Sequence, residues 1–245
     1  MPLIADARVL LSLLCGLPRR GTHGERLQRF YGPQAARYDD FRERLLHGRQ
    51  ELIRLLPTEA GDRIVELGGG TGRNVDFFGP RLDGIGSLEL VDLCQPLLDI
   101  AAARTAALPK VRLTRGDATH HRPDQPVDCV YFSYALTMIP DWRRAIDNAI
   151  AMLRPGGTLG IVDFYVSKAR PAPGMIRHGW LSRTLWRSWF RHDGVLLSDE
   201  HLPYLQARLD TRHLSEHRAA LPYLPGIKAP YYLFVGRKNF PPKDY

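Results

Sequence analysis

The sequence predicts an α/β protein with a doubly wound, mainly parallel sheet, and three observations carry that prediction. A short apolar run enters a glycine cluster at Arg63–Asn74, RIVELGGGTGRN. Strand-like and helix-like stretches then alternate as far as Phe164. Asp128–Tyr134, DCVYFSY, is nearly continuous in apolar residues, as in a strand covered on both faces. Strict alternation of strand and helix implies parallel strands joined by right-handed crossovers.

Leu3, Ala7, Leu10, Leu11 and Leu14 recur at helical spacing, so residues 3–17 read as an amphipathic helix. Its stripe suits packing on the core or a second subunit, and equally a membrane surface or a lipid pocket. Arg19 and Arg20 behind it would suit anionic headgroups. Arg26–Leu56 is a second helical region, broken near Tyr31 by Gly32 and Pro33. RIVEL then leads through the glycine turn into a helix start. Ser87–Asp92 is a strand, Pro96–Ala107 a helix with proline in its first turn, and Val111–Arg115 a short strand ending at Gly116-Asp117. After DCVYFSY, Asp141 caps a helix over Trp142–Leu153, Arg154–Gly157 turns, and Thr158–Phe164 is a fifth strand. The alternation stops near Tyr165. Residues 166–206, rich in Arg, His and Trp, form a helical insert, and Arg208–His217 and Ala229–Arg237 are the last two strands. The chain therefore divides into a helical cap (1–60), a ligand-binding core (61–164), a lid (165–206), two closing strands (207–238) and a loose tail (239–245).

Composition narrows the class. The 245 residues, 44% hydrophobic and 24% charged, suit one sizeable globular domain and exclude disorder over most of the length. The net charge of +8 favours an anionic partner: nucleic acid, acidic lipid, or a phosphate- or carboxylate-bearing substrate. Cys15, Cys94 and Cys129 have no CxxC spacing, which argues against a disulfide framework or a metal site and for a reducing cytoplasm. No apolar run reaches the roughly 18 residues of a membrane span. Ile4–Leu17 has no basic residue before it and no clear cleavage site ahead of Arg19, so it is not read as a secretory leader.

The glycine row decides the ligand. Gly68, Gly69, Gly70, Thr71, Gly72 and Arg73 give G-x-G-x-G, with Arg73 where a dinucleotide fingerprint has its third glycine. A P-loop would need Lys followed by Ser or Thr. Glu66, two residues before Gly68, would repel a pyrophosphate but suits a ligand carrying an amino group.

On these residues the chain resembles the class I S-adenosylmethionine-dependent methyltransferases, whose fold is Rossmann-like. VELGGGTGRN is similar to their first motif, LELVDLC to the second, TRGDAT to the third, and LRPGGTLGIVDF to the turn and strand that close the sheet. The resemblance implies S-adenosyl-L-methionine as cofactor and S-adenosyl-L-homocysteine as product. It implies Glu66 and the backbone at Gly68 and Gly70 near the ammonium, with Asn74 and Ser133 beside them. Asp92 would hold the ribose hydroxyls. Asp117 and the Ala118 N–H would meet the adenine edge, walled by Leu93, Cys94, Ile139 or Trp142, and Tyr38 would reach the methionine part.

The outer segments resemble the bacterial betaine-lipid methyltransferases, which N-methylate diacylglyceryl homoserine. The residues that carry this are FYGPQAARYDDFRERLLHGR, the row from Trp186 to Leu205, and LPYLPGIKAPYYLFVGRK. The resemblance implies a lipid substrate with an amino-acid headgroup, peripheral contact with anionic membrane at its inner face, and an aminocarboxypropyl transferase as functional partner. An amine acceptor must lose a proton, for which Tyr31, Tyr38, His47, Tyr134, His178 and His192 are candidates, as is water. A quaternary ammonium product would favour aromatic walls, and Arg177 or Arg183 would suit the carboxylate. The alternatives are a methyltransferase for a small soluble amine or hydroxyl, a nucleic-acid methyltransferase, and a non-catalytic binder. No Asn/Asp-Pro-Pro-Tyr motif, catalytic Pro-Cys pair or appended module supports a nucleic-acid partner.

Overall fold

The computed structural model describes residues 20–32, 43–192, 194–221 and 226–240. The expected helix over 3–17, together with Tyr38 and Tyr223, lies outside them. Seven strands form one sheet in the order β3-β2-β1-β4-β5-β7-β6. They are β1 Arg63–Leu67, β2 Ser87–Asp92, β3 Val111–Arg115, β4 Val127–Ser133, β5 Leu153–Phe164, β6 Asp210–Ala220 and β7 Lys228–Arg237. The first five run parallel, and β7 is antiparallel to both β5 and β6. This is the doubly wound, Rossmann-like sheet the alternation predicts. Strand order reverses between β1 and β4, which opens a crevice at their carboxyl ends.

The alternation of side chains along β1 gives the sheet two buried faces. Ile64 joins one core cluster with Leu52, Ile53 and Leu56. Val65 and Leu67 join the other with Ala145, Ile146 and Ala149. The first face is covered by α2 (Arg49–Leu55), the second by α5 (Trp142–Met152). A Cβ at Gly160 of β5 would collide with Leu56 Cδ2, so glycine there is what lets α2 seat closely. Helix α1 (His23–Tyr31) begins in a capping box formed by Thr22 and Glu25 and buries Leu27, Phe30 and Tyr31. Between strands lie α3 (Arg81–Gly84) and α4 (Gln95–Thr105). The insert holds α6 (Trp180–His192) and α7 (His201–Gln206).

Three sequence expectations shift. The glycine loop leads into a 3-10 helix, Arg73–Phe78, rather than an α-helix, because Gly79 ends it after six residues. The Arg154–Gly157 turn is absorbed into β5, which starts at Leu153 and carries a register shift between Val127 and Cys129 of its partner. The sixth strand runs from Asp210 to Ala220, further than the sequence pattern suggests, because β7 pairs with it along its whole length.

Candidate active site

The crevice at the carboxyl ends of β1, β2 and β4 holds a cavity of about 300 Å³. Its floor is the glycine loop. Gly68, Gly70 and Gly72 have φ of +82°, +54° and +71°, the left-handed region that favours glycine. A Cβ at Gly68 would also strike Ala135. Asp92, the last residue of β2, is pinned over this loop. Its Oδ2 accepts from the Gly70 N–H at 2.8 Å and its Oδ1 from the Cys94 N–H at 2.8 Å. Burial raises the Asp92 pKa and these amides oppose the rise. Asp117 follows β3, and its Oδ1 accepts from the Thr119 amide and hydroxyl at 2.8 and 2.7 Å. Leu93, Cys94, Ala118, Ser133 and Ile139 complete this end of the wall.

Glu66 does not line the cavity. It is fully buried beneath the loop, its Oε1 accepting from Asn74 Nδ2 at 2.6 Å and its Oε2 from the Tyr131 hydroxyl at 2.8 Å. Burial pushes its pKa up to about 7 against those two hydrogen bonds. Glu66, expected from sequence near the ligand ammonium, thus meets the cavity only through Asn74. Asn74 lines the cavity with an Oδ1 that has no hydrogen-bond partner, and the same is true of Ser133 Oγ. Two buried acceptors without donors are what a ligand ammonium would satisfy.

The cavity is also lined by Tyr31 from α1 and Met138, which pack in one cluster with Cys94, and by Leu46 ahead of α2, Arg49 at its start and Tyr134 beyond β4. Tyr134 has φ of +53°, a strained backbone for a tyrosine, directly after the central strand. Its ring lies 4.6 Å from that of Phe164, and its hydroxyl donates to the His47 carbonyl at 2.6 Å. Burial raises its pKa well above the usual tyrosine value. Tyr134 is thus a poor base and serves as wall. Arg49 is 9% exposed, and its Nε donates to the Leu46 carbonyl at 3.2 Å. The guanidinium lies close enough to oppose the upward shifts of both Glu66 and Tyr134. A buried cation here suits a carboxylate.

Other candidates lie elsewhere. His178 does not line the cavity: its Nδ1 accepts from the Ser167 N–H at 3.0 Å, its backbone N–H donates to Ser167 Oγ at 2.8 Å, and its ring meets Tyr165 edge-on. It therefore holds the insert together rather than touching reactants. His47 contributes its carbonyl, while its ring bonds the Arg44 carbonyl at 3.2 Å. The side chain of His192 lies outside the described residues. Trp142 is no cavity wall, since it packs edge-on against His201 and Tyr204. Arg183 pairs with Asp199 in the insert, and Arg177 is exposed. Of the aromatic stock, Tyr31 and Tyr134 reach the cavity among the described residues.

Sequence reasoning missed Arg49 and His23, both lining the cavity. Arg49 carried a signal: it precedes Leu52, Ile53 and Leu56 at helical spacing, a cation on an apolar stripe. His23 Nδ1 is buried without a partner, and burial, with Arg26 nearby, lowers its pKa.

The family model described as methyltransferase domain matches residues 37–212. Curated relatives include the ubiquinone/menaquinone biosynthesis C-methyltransferase UbiE of Saccharophagus degradans, 27% identical over 139 residues, 53% of this chain and 56% of that protein. The trans-aconitate 2-methyltransferase of Variovorax paradoxus is 33% identical over 126 residues, 51% of this chain and 46% of that protein. The matched stretch thus spans about half the length of these relatives. Among solved structures, the N-methyltransferase NodS from Bradyrhizobium japonicum, in complex with S-adenosyl-L-homocysteine, superposes with a TM-score of 0.63 at 19% identity. That match covers 86% of this chain and 97% of NodS and shows a shared fold.

Proposed function

This chain belongs to the methyltransferase domain family, and from that premise we propose that it transfers a methyl group from S-adenosylmethionine to an amine. The observation that carries the cofactor is Asp92, clamped by the Gly70 and Cys94 amides at the rim of a cavity whose buried Asn74 Oδ1 and Ser133 Oγ lack donors. When bound, the cofactor supplies a methyl group on a sulfonium, so the protein's own task is alignment. Asp92 would accept from the ribose hydroxyls, and Asp117 with the Ala118 N–H would read the adenine edge. Asn74, oriented by Glu66, and Ser133 would take the ammonium, and Arg49 the carboxylate.

The acceptor would enter between Tyr31, Leu46, Tyr134 and Met138. Two tyrosines lining the cavity suit a nitrogen that gains positive charge as it is methylated, each contact contributing roughly 0.5–2 kcal/mol. The Tyr134 hydroxyl is already committed to the His47 carbonyl, which leaves water or another group lining the cavity to take the acceptor's proton. Together with the whole-length resemblance of the outer segments, this supports an amino-acid headgroup on a lipid, diacylglyceryl homoserine, as the acceptor. In that reading, the precursor lipid comes from an aminocarboxypropyl transferase.

A tritiated-methyl assay offers the protein lipid extract and, separately, soluble amine and hydroxyl pools. Label in a homoserine-headgroup lipid, identified by mass spectrometry, is the expected result. Label confined to soluble acceptors, such as small acids or amines, overturns the lipid reading and leaves the cofactor assignment intact.

A further inference from the structure

Helix α6 has two faces of different fate. Trp186 and Phe190 are buried, and they connect to the cavity through a run of ring contacts. Trp186 meets Phe190 at 5.7 Å, Phe190 meets Phe164 at 4.6 Å, and Phe164 meets Tyr134 of the cavity wall at 4.6 Å. Leu181, Leu185 and Trp189, spaced at i, i+4 and i+8, form another strip and are 73%, 52% and 49% exposed, while Trp180, 73% exposed, opens the helix half a turn round its axis from Trp189. Large apolar side chains gathered on one exposed face mark an interaction surface.

Charge indicates the partner. Between Val166 and His192 the chain carries Lys168, Arg170, Arg177, Arg183, Arg187 and Arg191 and no Asp or Glu. Arg183 and Arg187 share Asp199, and Lys168 meets Glu200. Arg170, Arg177 and Arg191 are exposed, with no ion pair among the described residues. A strip of two leucines ending in Trp189, an exposed Trp180 at the helix start and arginines nearby match a helix lying in a bilayer interface. There the indoles sit at headgroup depth, the leucines reach the acyl boundary and the guanidiniums meet phosphates. No described helix is long and apolar enough to cross a membrane, so the contact is superficial.

We propose that the exposed strip of Leu181, Leu185 and Trp189 on α6, together with Trp180 at the start of the helix, docks this protein on an anionic phospholipid surface. The inference goes beyond the catalytic reading, since docking does not require the acceptor to be a lipid. It also couples the surface to the cavity. Beyond α6, Val195 packs with Leu27, Phe30, Tyr31 and Met138, and the Leu196 amide donates to the Thr137 carbonyl at 2.7 Å. The docked helix and the cavity rim are therefore one packed unit.

Flotation of the full chain with vesicles tests this, using equal parts phosphatidylglycerol and phosphatidylcholine against phosphatidylcholine alone. The wild type is expected to float with the anionic vesicles only. Trp180→Ser, Leu181→Ser, Leu185→Ser and Trp189→Ser combined should lower the bound fraction at least about tenfold. Arg177→Glu with Arg191→Glu should lower it several-fold and flatten its salt dependence. Calorimetric binding of S-adenosylhomocysteine should match wild type in both variants. Undiminished flotation of the apolar variant overturns the proposal and moves the contact elsewhere, for instance to residues 3–19. A wild type that ignores vesicles but sediments as a dimer, dissociated by the same substitutions, overturns it in favour of a self-interface. If the apolar variant fails to fold, brominated-lipid quenching of wild-type tryptophan fluorescence decides: quenching supports docking and its absence refutes it. A wild type that floats but binds no S-adenosylhomocysteine sinks the catalytic reading and leaves the docking surface standing.

Discussion

The proposed cofactor and acceptor walls of the cavity are built by different means. Around the glycine loop sequence neighbours do most of the holding: Asp117 is held by Thr119 two residues on, Asp92 by Cys94 as well as by Gly70 of the loop, and the loop by its own φ angles. The proposed acceptor walls, Tyr31, Leu46, Tyr134 and Met138, come from separate elements and meet through packing, as does Arg49, proposed for the cofactor's carboxylate. The first is largely a property of short segments. The second exists only when α1, the start of α2 and the segment after β4 come together over the sheet.

Breaking the cofactor wall should have the largest effect. Asp92→Ala removes an acceptor of two backbone amides and of the proposed ribose hydroxyls. Charge-assisted hydrogen bonds of roughly 1.5–3 kcal/mol each predict at least about a thousandfold loss of S-adenosylhomocysteine affinity by calorimetry. Unchanged affinity would remove Asp92 from the site.

Glu66 sharpens the contrast, because its role is legible only in pH dependence. Its carboxyl titrates in the ordinary carboxylate range when unfolded and near 7 when folded. The native state therefore keeps the proton longer. The stability this contributes is complete below the unfolded value and is lost as pH rises through 7. For a group this buried the change is about 3 kcal/mol. Asp163, also pushed up to about 7 by burial, loses stability in the same window. The informative quantity is thus the difference between wild type and Glu66→Gln in urea unfolding, which should grow in the variant's favour from pH 5 to about pH 8. A flat difference would show that the carboxyl is not neutral in the fold. Cofactor affinity of the wild type should rise over the same interval, as the ionised carboxylate favours a nearby ammonium, and that rise should vanish in the variant.

Arg49 tests the proposed contact with the cofactor's carboxylate, on the side built by packing. Arg49→Met should weaken S-adenosylmethionine binding about tenfold and leave the decarboxylated analogue unaffected. An equal loss for both ligands would assign Arg49 to packing. The smallest effect is expected for Tyr134→Phe, which keeps the ring and loses one hydrogen bond to the His47 carbonyl. Its kcat should fall less than about threefold with an unchanged pH profile, whereas loss of a general base costs about a hundredfold or more.

The difference between the walls also explains what could be read in advance. Strand order up to β5, the glycine loop and the positions of Asp92 and Asp117 follow from local rules of period, turn and strand end. Arg49 was visible as a cation on an apolar stripe, but its destination was not, because the stripe does not say which cavity it borders. His178 and Trp142 have site-like chemistry in sequence, yet packing within the insert and against α7 takes them elsewhere. Glu66 was read as a ligand contact, yet depth decided otherwise: one residue alternation along β1 turned its carboxylate inward beneath the loop, where Asn74 and Tyr131 hold it.

What the sequence alone determined is the sheet, its switch point and the residues at the strand ends, since these depend on hydrophobic period and on glycine's access to positive φ. What only the tertiary structure decided is burial and its consequences. These include the near-neutral titration of Glu66, the unpartnered acceptors of Asn74 and Ser133, the commitment of the Tyr134 hydroxyl, and the exposed apolar strip of α6. Each depends on which atoms lose water when distant segments pack, and the order of residues along the chain does not state that.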